Sequence, residues 1–448
     1  METPRTGPEA AVPAFPNRGF STGLRRGANG GAAVAGELTM TTRLVLAGAD
    51  VVLPDRVLAG AMLVIEDGRI TDILPRPVPT DSSVRRIDLP GHLIVPGFVD
   101  VHVHGLDGLD TQDGPDAVAA IAARMPRHGV TAFSPTTVAC PPDELRRVLE
   151  AVRACRERPV AGRARVLPAH LESNFINPDY KGAQPAACLR LPRSAFGPRT
   201  PEGDAAAPDG PSFTGADILA VIDEAGPDVG IVTVASELDG GLELIRHLVR
   251  QGRIVSLGHS AATFEQTSEA IRAGARHATH LFNRMPPVGH REPGLAGAIL
   301  QAPEVAAEIV CDAYHVHPAM VRVALAAKGA DRVMAITDGS AGAGLAPGST
   351  ARLGGRTLHV TDQAAFLDDH TLAGSTATMD RVFRVLTGLI GVGLVEAAIL
   401  CATTPARELG LVGMGIIAPG AVADLAILDS RMSVVETCIA GHPCLGRF

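Results

Sequence analysis

Between Thr41 and about Arg86 the chain alternates short apolar runs with turns: RLVLAGADVVLPD, RVLAGAMLVIEDGRITDIL and VRRIDLPG. Period-two alternation rich in β-branched residues predicts strands, and Asp67-Gly68 predicts a hairpin, because glycine adopts positive φ at little cost. The same texture returns near the C-terminus in GIIAPGAVADLAILDSRMSVVETCIAG. Two β-rich ends around a different middle predict one small β-sandwich domain assembled from residues 40–92 and 411–448.

The middle, 93–410, follows another rule. Apolar, β-branched runs recur near 93–104, 129–138, 164–173, 230–237, 253–260, 277–283, 308–315 and 332–338. Helical patterns lie between most of them, as in PDAVAAIAARMPRHG, PDELRRVLEAVRACRE, GLELIRHLVRQG, TFEQTSEAIRAGA and HPAMVRVALAAKG. Parallel strands need crossovers, so eight buried strands alternating with helices predict an α/β fold, a TIM-like (β/α)8 barrel. Two stretches break the alternation: the Pro/Gly-rich segment 192–215, and segment 339–376, which reads as loops with a small hairpin. Both leave the face at the C-terminal ends of the strands and are candidates for a lid or substrate wall.

Composition narrows the setting. Residues 1–39 are rich in Gly, Pro and Ala without periodicity and are expected to be a disordered extension. Arg25-Arg26 precedes GANGGAAVAGE, too weakly apolar for an export signal. A net charge of -8 without a Lys/Arg cluster argues against nucleic acid. No apolar stretch approaches the roughly 20 residues that span a bilayer. Seven scattered cysteines without a CxxC are expected to be reduced thiols, which predicts a cytoplasmic protein.

The candidate chemistry sits where apolar runs end. His102 and His104 close HLIVPGFVDVHVHG, Glu172 closes ARVLPAHLE, His259 follows RIVSLG, His280 follows ARHAT and Asp338 follows VMAIT, with His315 at a further strand end. In a parallel barrel, functional residues lie at the C-terminal ends of the strands. Imidazoles and carboxylates are ligands for a zinc- or iron-class divalent ion, and His102 and His104, two apart on a strand, point to the same face. A lone histidine at a strand end is ordinarily a hydrogen-bonded polar residue; six ligand-type residues at equivalent positions fit a metal site better. An ion held by such groups activates water, and Asp338, on the last barrel strand, is placed to move protons as general base and acid. The predicted reaction class is hydrolytic attack on a carbonyl. There is no GxSxG elbow, and Cys311, four residues before His315, reads as core.

PGFVDVHVHG resembles the entry motif of the amidohydrolase superfamily. The ordered series HLESNFINPDYKGAQ, GHSAATFEQ, ATHLFNRMPPVGHREPGLAGAIL, CDAYHVHP, ITDG, LAGSTATMDRVFR, TTPARELGL and GIIAPGAVADLAILD is similar to the N-acetylglucosamine-6-phosphate deacetylase family. The resemblance covers nearly all of the chain after Met40. It implies a metal-dependent hydrolase with Glu172, His259 and His280 around the principal ion, and Asp338 as general base and acid. It implies that Asn283, Arg291 and His315 contact the sugar phosphate, Arg291 through its bidentate fork and, in this family, across a homodimer interface. His102 and His104 then permit a second ion shared with Asp338. The implied cofactor is one or two ions, zinc or iron; the implied partner is a small amino-sugar phosphate.

Four departures line the expected pocket. The family's KGAH reads KGAQ, so Gln184 stands where a histidine donates to the acetyl carbonyl; the residues after Glu172 are Ser173-Asn174 rather than Gly-Pro. Arg284 replaces the usual Ala, and Gly339 follows Asp338 in place of Ala. Gln184 can donate but carries no charge. These changes keep open deacetylation of a related N-acetyl amino sugar, possibly unphosphorylated. A cyclic amidohydrolase fits less well, because the bridging position is Glu172 rather than lysine. A non-catalytic relative would be expected to have lost some of the ligands.

Overall fold

The computed structural model describes residues 43–82, 84–197 and 212–448. The expected extension 1–39 and residues 198–211 of the Pro/Gly-rich segment lie outside the described residues.

Eight strands form the barrel: β1 (Phe98–Val103), β2 (Val130–Thr137), β3 (Ala169–Leu171), β4 (Val229–Val234), β5 (Ile254–Leu257), β6 (His277–Ala278), β7 (Ala306–Val310) and β8 (Val333–Ile336). Each pairs in parallel with the next, and a short piece, Arg165–Val166, runs beside β2 just before β3. Helices cross over on the outside. Four of the five predicted patterns form at Pro142–Glu157, Gly241–Arg250, Phe264–Ala273 and Pro318–Lys328; the fifth gives the shorter Ala117–Arg124 followed by a 3-10 turn. Helix Phe264–Ala273 begins in a capping box between Thr263 and Gln266 and ends at Gly274 with φ 119.

The ring closes between β8 and β1, beyond the end of β8. Val103 and Gly339 form a parallel bridge. Asp338 N–H donates to His102 O (3.1 Å), and the His104 and Gly105 amides donate to Gly339 O (2.8 and 2.9 Å). Every expected ligand on these strands therefore lies at the closing seam.

The small β domain is built from both ends of the chain as one continuous eight-stranded sheet. Arg43–Val52 lies between Val57–Glu66 and Leu93–Pro96, and Leu425–Leu428 joins Leu93–Pro96 from the other side. The predicted hairpin turns at Asp67 and Gly68, with φ 46 and 78. The run 93–104, read as one strand, is two. Leu93–Pro96 belongs to the small sheet and β1 begins at Phe98, with Gly97 as the bend. A Cβ at Gly97 would lie 2.3 Å from Thr131 Cγ2, so only glycine lets the chain pass so close to β2.

Segment 339–376 carries one strand more than the expected hairpin: Thr350–Leu353, Arg356–Val360 and Ala365–Leu367 form an antiparallel sheet. Its apolar face packs around Val138, Leu353, Leu358, Ala365 and Ala373, which fixes it over one side of the barrel mouth.

Candidate metal centre

The C-terminal ends of the barrel strands bring two ligand sets together. Glu172 follows β3, His259 follows β5 and His280 follows β6. Glu172 Oε1 lies 2.8 Å from His259 Nε2 and 2.7 Å from His280 Nε2, and the two nitrogens are 3.0 Å apart. The second set is His102, His104 and Asp338. The two Nε2 atoms are 3.2 Å apart, and each is 3.4 Å from Asp338 Oδ1. Glu172 Oε2 is 3.4 Å from His104 Nε2, so the sets are contiguous.

Backbone conformation contributes to this convergence. His259, His280 and Asp338 have φ of 46, 32 and 48, as do Phe282 (78) and Arg284 (53). Non-glycine residues there cost about 1–3 kcal/mol each and persist where surrounding structure imposes them. At His259, His280 and Asp338 the backbone thus leaves the strand conformation just where the side chain joins the cluster.

The donor chemistry fits a divalent cation. His259 Nδ1–H donates to Tyr180 O (2.7 Å), which in the neutral ring turns the Nε2 lone pair toward Glu172. Facing ring nitrogens about 3 Å apart cannot both carry protons toward each other. Burial works against charge on Glu172 and Asp338. Even so, His259, His104 and His280 hold Glu172 well below the ordinary carboxylate range, and His102, His104 and His280 lower Asp338. Burial opposes protonation of His104 and His280, but Asp338 and Glu172 lift His104 to about 10, and Glu172 lifts His280 to about 8. The carboxylates thus demand positive charge at the ring nitrogens, from protons or from metal.

The cleft above is lined by His104, Glu172, Gln184, His259, His280, Asn283, Arg284, His315 and Asp338, with Leu353, Leu372 and Gly374 from the 339–376 segment as one wall. His315 is oriented by Asp312, whose Oδ2 lies 2.7 Å from Nδ1 and also accepts from Ser375 Oγ (3.0 Å). Arg284 is exposed at the rim. Its carbonyl accepts from Ser260 N–H (3.2 Å), and its guanidinium lies over Gly182, where a Cβ would fall 2.4 Å from Nε. Gln184 is buried and occupied at both ends: its amide donates to Glu172 Oε2, and its oxygen accepts from Ala139 N–H (2.7 Å). It thereby fixes the Glu172 carboxylate that faces His259 and His280. Arg291 is the one expected contact that the fold does not bring to this lining; the turn carrying it leaves the side chain exposed.

The chain belongs to the amidohydrolase family. The model of that family matches residues 93–444. An N-acetylglucosamine-6-phosphate deacetylase from Bacillus subtilis (strain 168) is 31% identical over 90% of this chain and 97% of its own length. An N-acetylgalactosamine-6-phosphate deacetylase from Escherichia coli O157:H7 is 34% identical over 84% of this chain and 93% of its own. Among solved structures, an N-acetyl-D-glucosamine-6-phosphate deacetylase variant from Mycobacterium smegmatis, in complex with N-acetyl-D-glucosamine 6-phosphate, superposes with a TM-score of 0.77 at 31% identity. The match covers 90% of this chain and 99% of that one.

Two buried carboxylates that were not among the expected site residues lie under the cluster. Glu308, inside β7, and Asp100, inside β1, are buried beneath the ligands. Burial pushes the Asp100 carboxyl up to about 7, against lowering by the Thr337 hydroxyl, which donates to it at 2.6 Å. A signal existed for each: DVHVH puts Asp100 on the same strand face as both histidines, and Glu308 is a lone carboxylate in AAEIV. The same interior layer continues through His170, Thr233, Thr279 and Ser256, linked by hydrogen bonds of 3.0, 2.8 and 2.6 Å. Among the described residues no helix is long and apolar enough to cross a membrane.

Proposed function

We propose that this chain hydrolyses the acetamide of N-acetylglucosamine 6-phosphate, releasing acetate and glucosamine 6-phosphate. The observation that carries the reading is the contiguity of Glu172–His259–His280 with His102–His104–Asp338 at the barrel mouth. A divalent ion held by Glu172, His259 and His280, zinc or iron by ligand type, supplies Lewis acidity that favours ionisation of water and polarisation of the amide carbonyl. Asp338, kept ionised by the histidines around it, takes the proton of the attacking water. It then delivers that proton to the amide nitrogen, so the C–N bond breaks with a neutral amine leaving. Gln184 keeps Glu172 fixed through this cycle.

The sugar's anionic end fits the outer cleft. Asn283, Arg284 and His315 line it, and Arg284 is the guanidinium among the lining residues. Arg291, exposed on its own chain, is available to a second copy, which supports a homodimer with a shared substrate site. The E. coli relative named for N-acetylgalactosamine 6-phosphate favours a second reading, in which the epimeric sugar is the substrate. Cysteines that are all free are compatible with the cytoplasm, where such a substrate would be met.

The test is acetate release from N-acetylglucosamine 6-phosphate, N-acetylgalactosamine 6-phosphate and the unphosphorylated sugars, on protein of measured metal content. The proposal expects the highest kcat/KM for the first. Greater turnover of the galacto epimer or of a free sugar would replace the substrate. No acetate from any of them at full metal occupancy would reject the reaction.

A further inference from the structure

The carboxylate of Glu308 is buried inside the barrel, and among the described residues no arginine or lysine pairs with it. Oε2 lies 2.9 Å from His102 Nδ1, and both side chains have 0% exposure. Oε1 has no hydrogen-bond partner among the described residues and stands 3.7 Å from His170 Nδ1. A buried ionised carboxylate costs several kcal/mol unless an opposite charge or good donors compensate it.

His102, His170 and Glu308 have ligand atoms close enough to suggest an ion site of their own. Two hydrogen bonds argue otherwise: His170 Nδ1 is taken by Val101 O (3.1 Å) and Nε2 by Thr233 Oγ1 (3.0 Å). Glu308 therefore acts through His102. Among the four histidines of the two ligand sets, only His102 has an anion on its far nitrogen. His259 has the neutral Tyr180 carbonyl, and the far nitrogens of His104 and His280 have no partner among the described residues.

We propose that Glu308 is a positioning residue for the second ion: it accepts Nδ1–H of His102 and fixes Nε2 as the unprotonated atom facing His104 and Asp338. The bond also sets the ring plane and makes Nε2 a better donor, since a carboxylate partner raises imidazole basicity. The charge of Glu308 joins those of Asp338 and Glu172, which suits the centre to two divalent ions rather than one. The inference rests on the metal-dependent reading of the site but not on the identity of the sugar.

The experiment uses the full chain stripped of metal and titrated with Zn2+, followed by calorimetry and by elemental analysis after dialysis. Wild-type protein should bind in two steps. In Glu308→Gln, which keeps volume and loses charge, the tighter step should be unchanged and the weaker one should fall by about 10–100-fold, the usual loss for such a partner. Glu308→Ala should lose the weaker step further and abolish the hydrogen-bonded Nδ1–H signal of His102 in the NMR spectrum. A single step in wild type, equal weakening of both steps in Glu308→Gln, or two unchanged steps would each overturn the proposal. Acetate release from the wild type, measured separately, tells a failure of this inference from a failure of the deacetylase reading.

Discussion

Asp338→Asn separates proton transfer from metal binding, and the structure allows its effect to be sized. The fold should survive. Asp338 has φ 48, a region asparagine tolerates as well as aspartate, and its backbone bonds to His102 O and from Ser375 N–H involve no side-chain atom. The principal ligand set should survive as well, because the 2.7–3.0 Å contacts among Glu172, His259 and His280 do not include it. What disappears is the base and the negative charge 3.4 Å from both His102 and His104. General acid–base catalysis contributes roughly 10²–10⁴-fold. The variant should therefore lose at least ~10² in kcat, about 2.7 kcal/mol of barrier, while keeping its tighter metal and a nearly unchanged KM. The assay is acetate release alongside elemental analysis. Turnover within a few-fold of wild type at matched metal content would refute the assignment of Asp338 as the proton carrier.

Glu172→Ala, His259→Ala and His280→Ala should each strip the principal ion and abolish activity, since three protein ligands leave none to spare; full metal in all three by elemental analysis would contradict the ligand set. Arg284→Ala should raise KM for a 6-phosphorylated sugar far more than for its unphosphorylated analogue, by no more than about 3 kcal/mol for one charge-assisted contact. Gly182→Ala should imitate it by displacing the guanidinium, whereas Arg291→Ala should show the same selectivity only in a dimer. Glu408 sits beside His277, Arg407 and Arg332, and although burial alone would raise its pKa, the His277 and Arg407 contacts hold it down to about 2. Its folded value is below its unfolded one, so the stabilisation, at most about 3 kcal/mol, is complete above the ordinary carboxylate range and is lost as pH falls toward 2. Urea titrations should show Glu408→Gln weaker than wild type at pH 7, with the gap closing below about pH 4.

The barrel and its ligand ends were legible in the sequence because both are local patterns: an apolar run of strand length, then a histidine or carboxylate. Patterns that depend on a distant partner were less legible. The bend at Gly97 is dictated by Thr131, which no feature of VPGFVD reveals. Helix Gly215–Ala225 was hidden behind a Pro/Gly-rich stretch, although its capping box, Thr214 with Asp217, was readable. Helix Gly294–Gln301 begins at a glycine with φ 60 and lacks polar punctuation. Glu308 and Asp100 lay inside runs read as apolar, and nothing nearby in sequence identifies the His102 or Thr337 each would meet. Gln184 was recognised as unusual, but its commitment to Glu172 and Ala139 depends on how the 173–184 loop folds back.

A ring of strands has one junction where its ends must meet, and here that junction holds the chemistry. Thr337 reaches Asp100 across 237 residues of sequence, and β8 docks on β1 through the same few residues that carry His102, His104 and Asp338. A growing chain can assemble most of the barrel wall before Asp338 exists, and until then β1 presents an open edge suited to pairing with the wrong neighbour. Half of the constellation is therefore created by the final act of closure rather than inherited from any earlier folded part. Catalytic activity in this protein certifies that the ring has been completed.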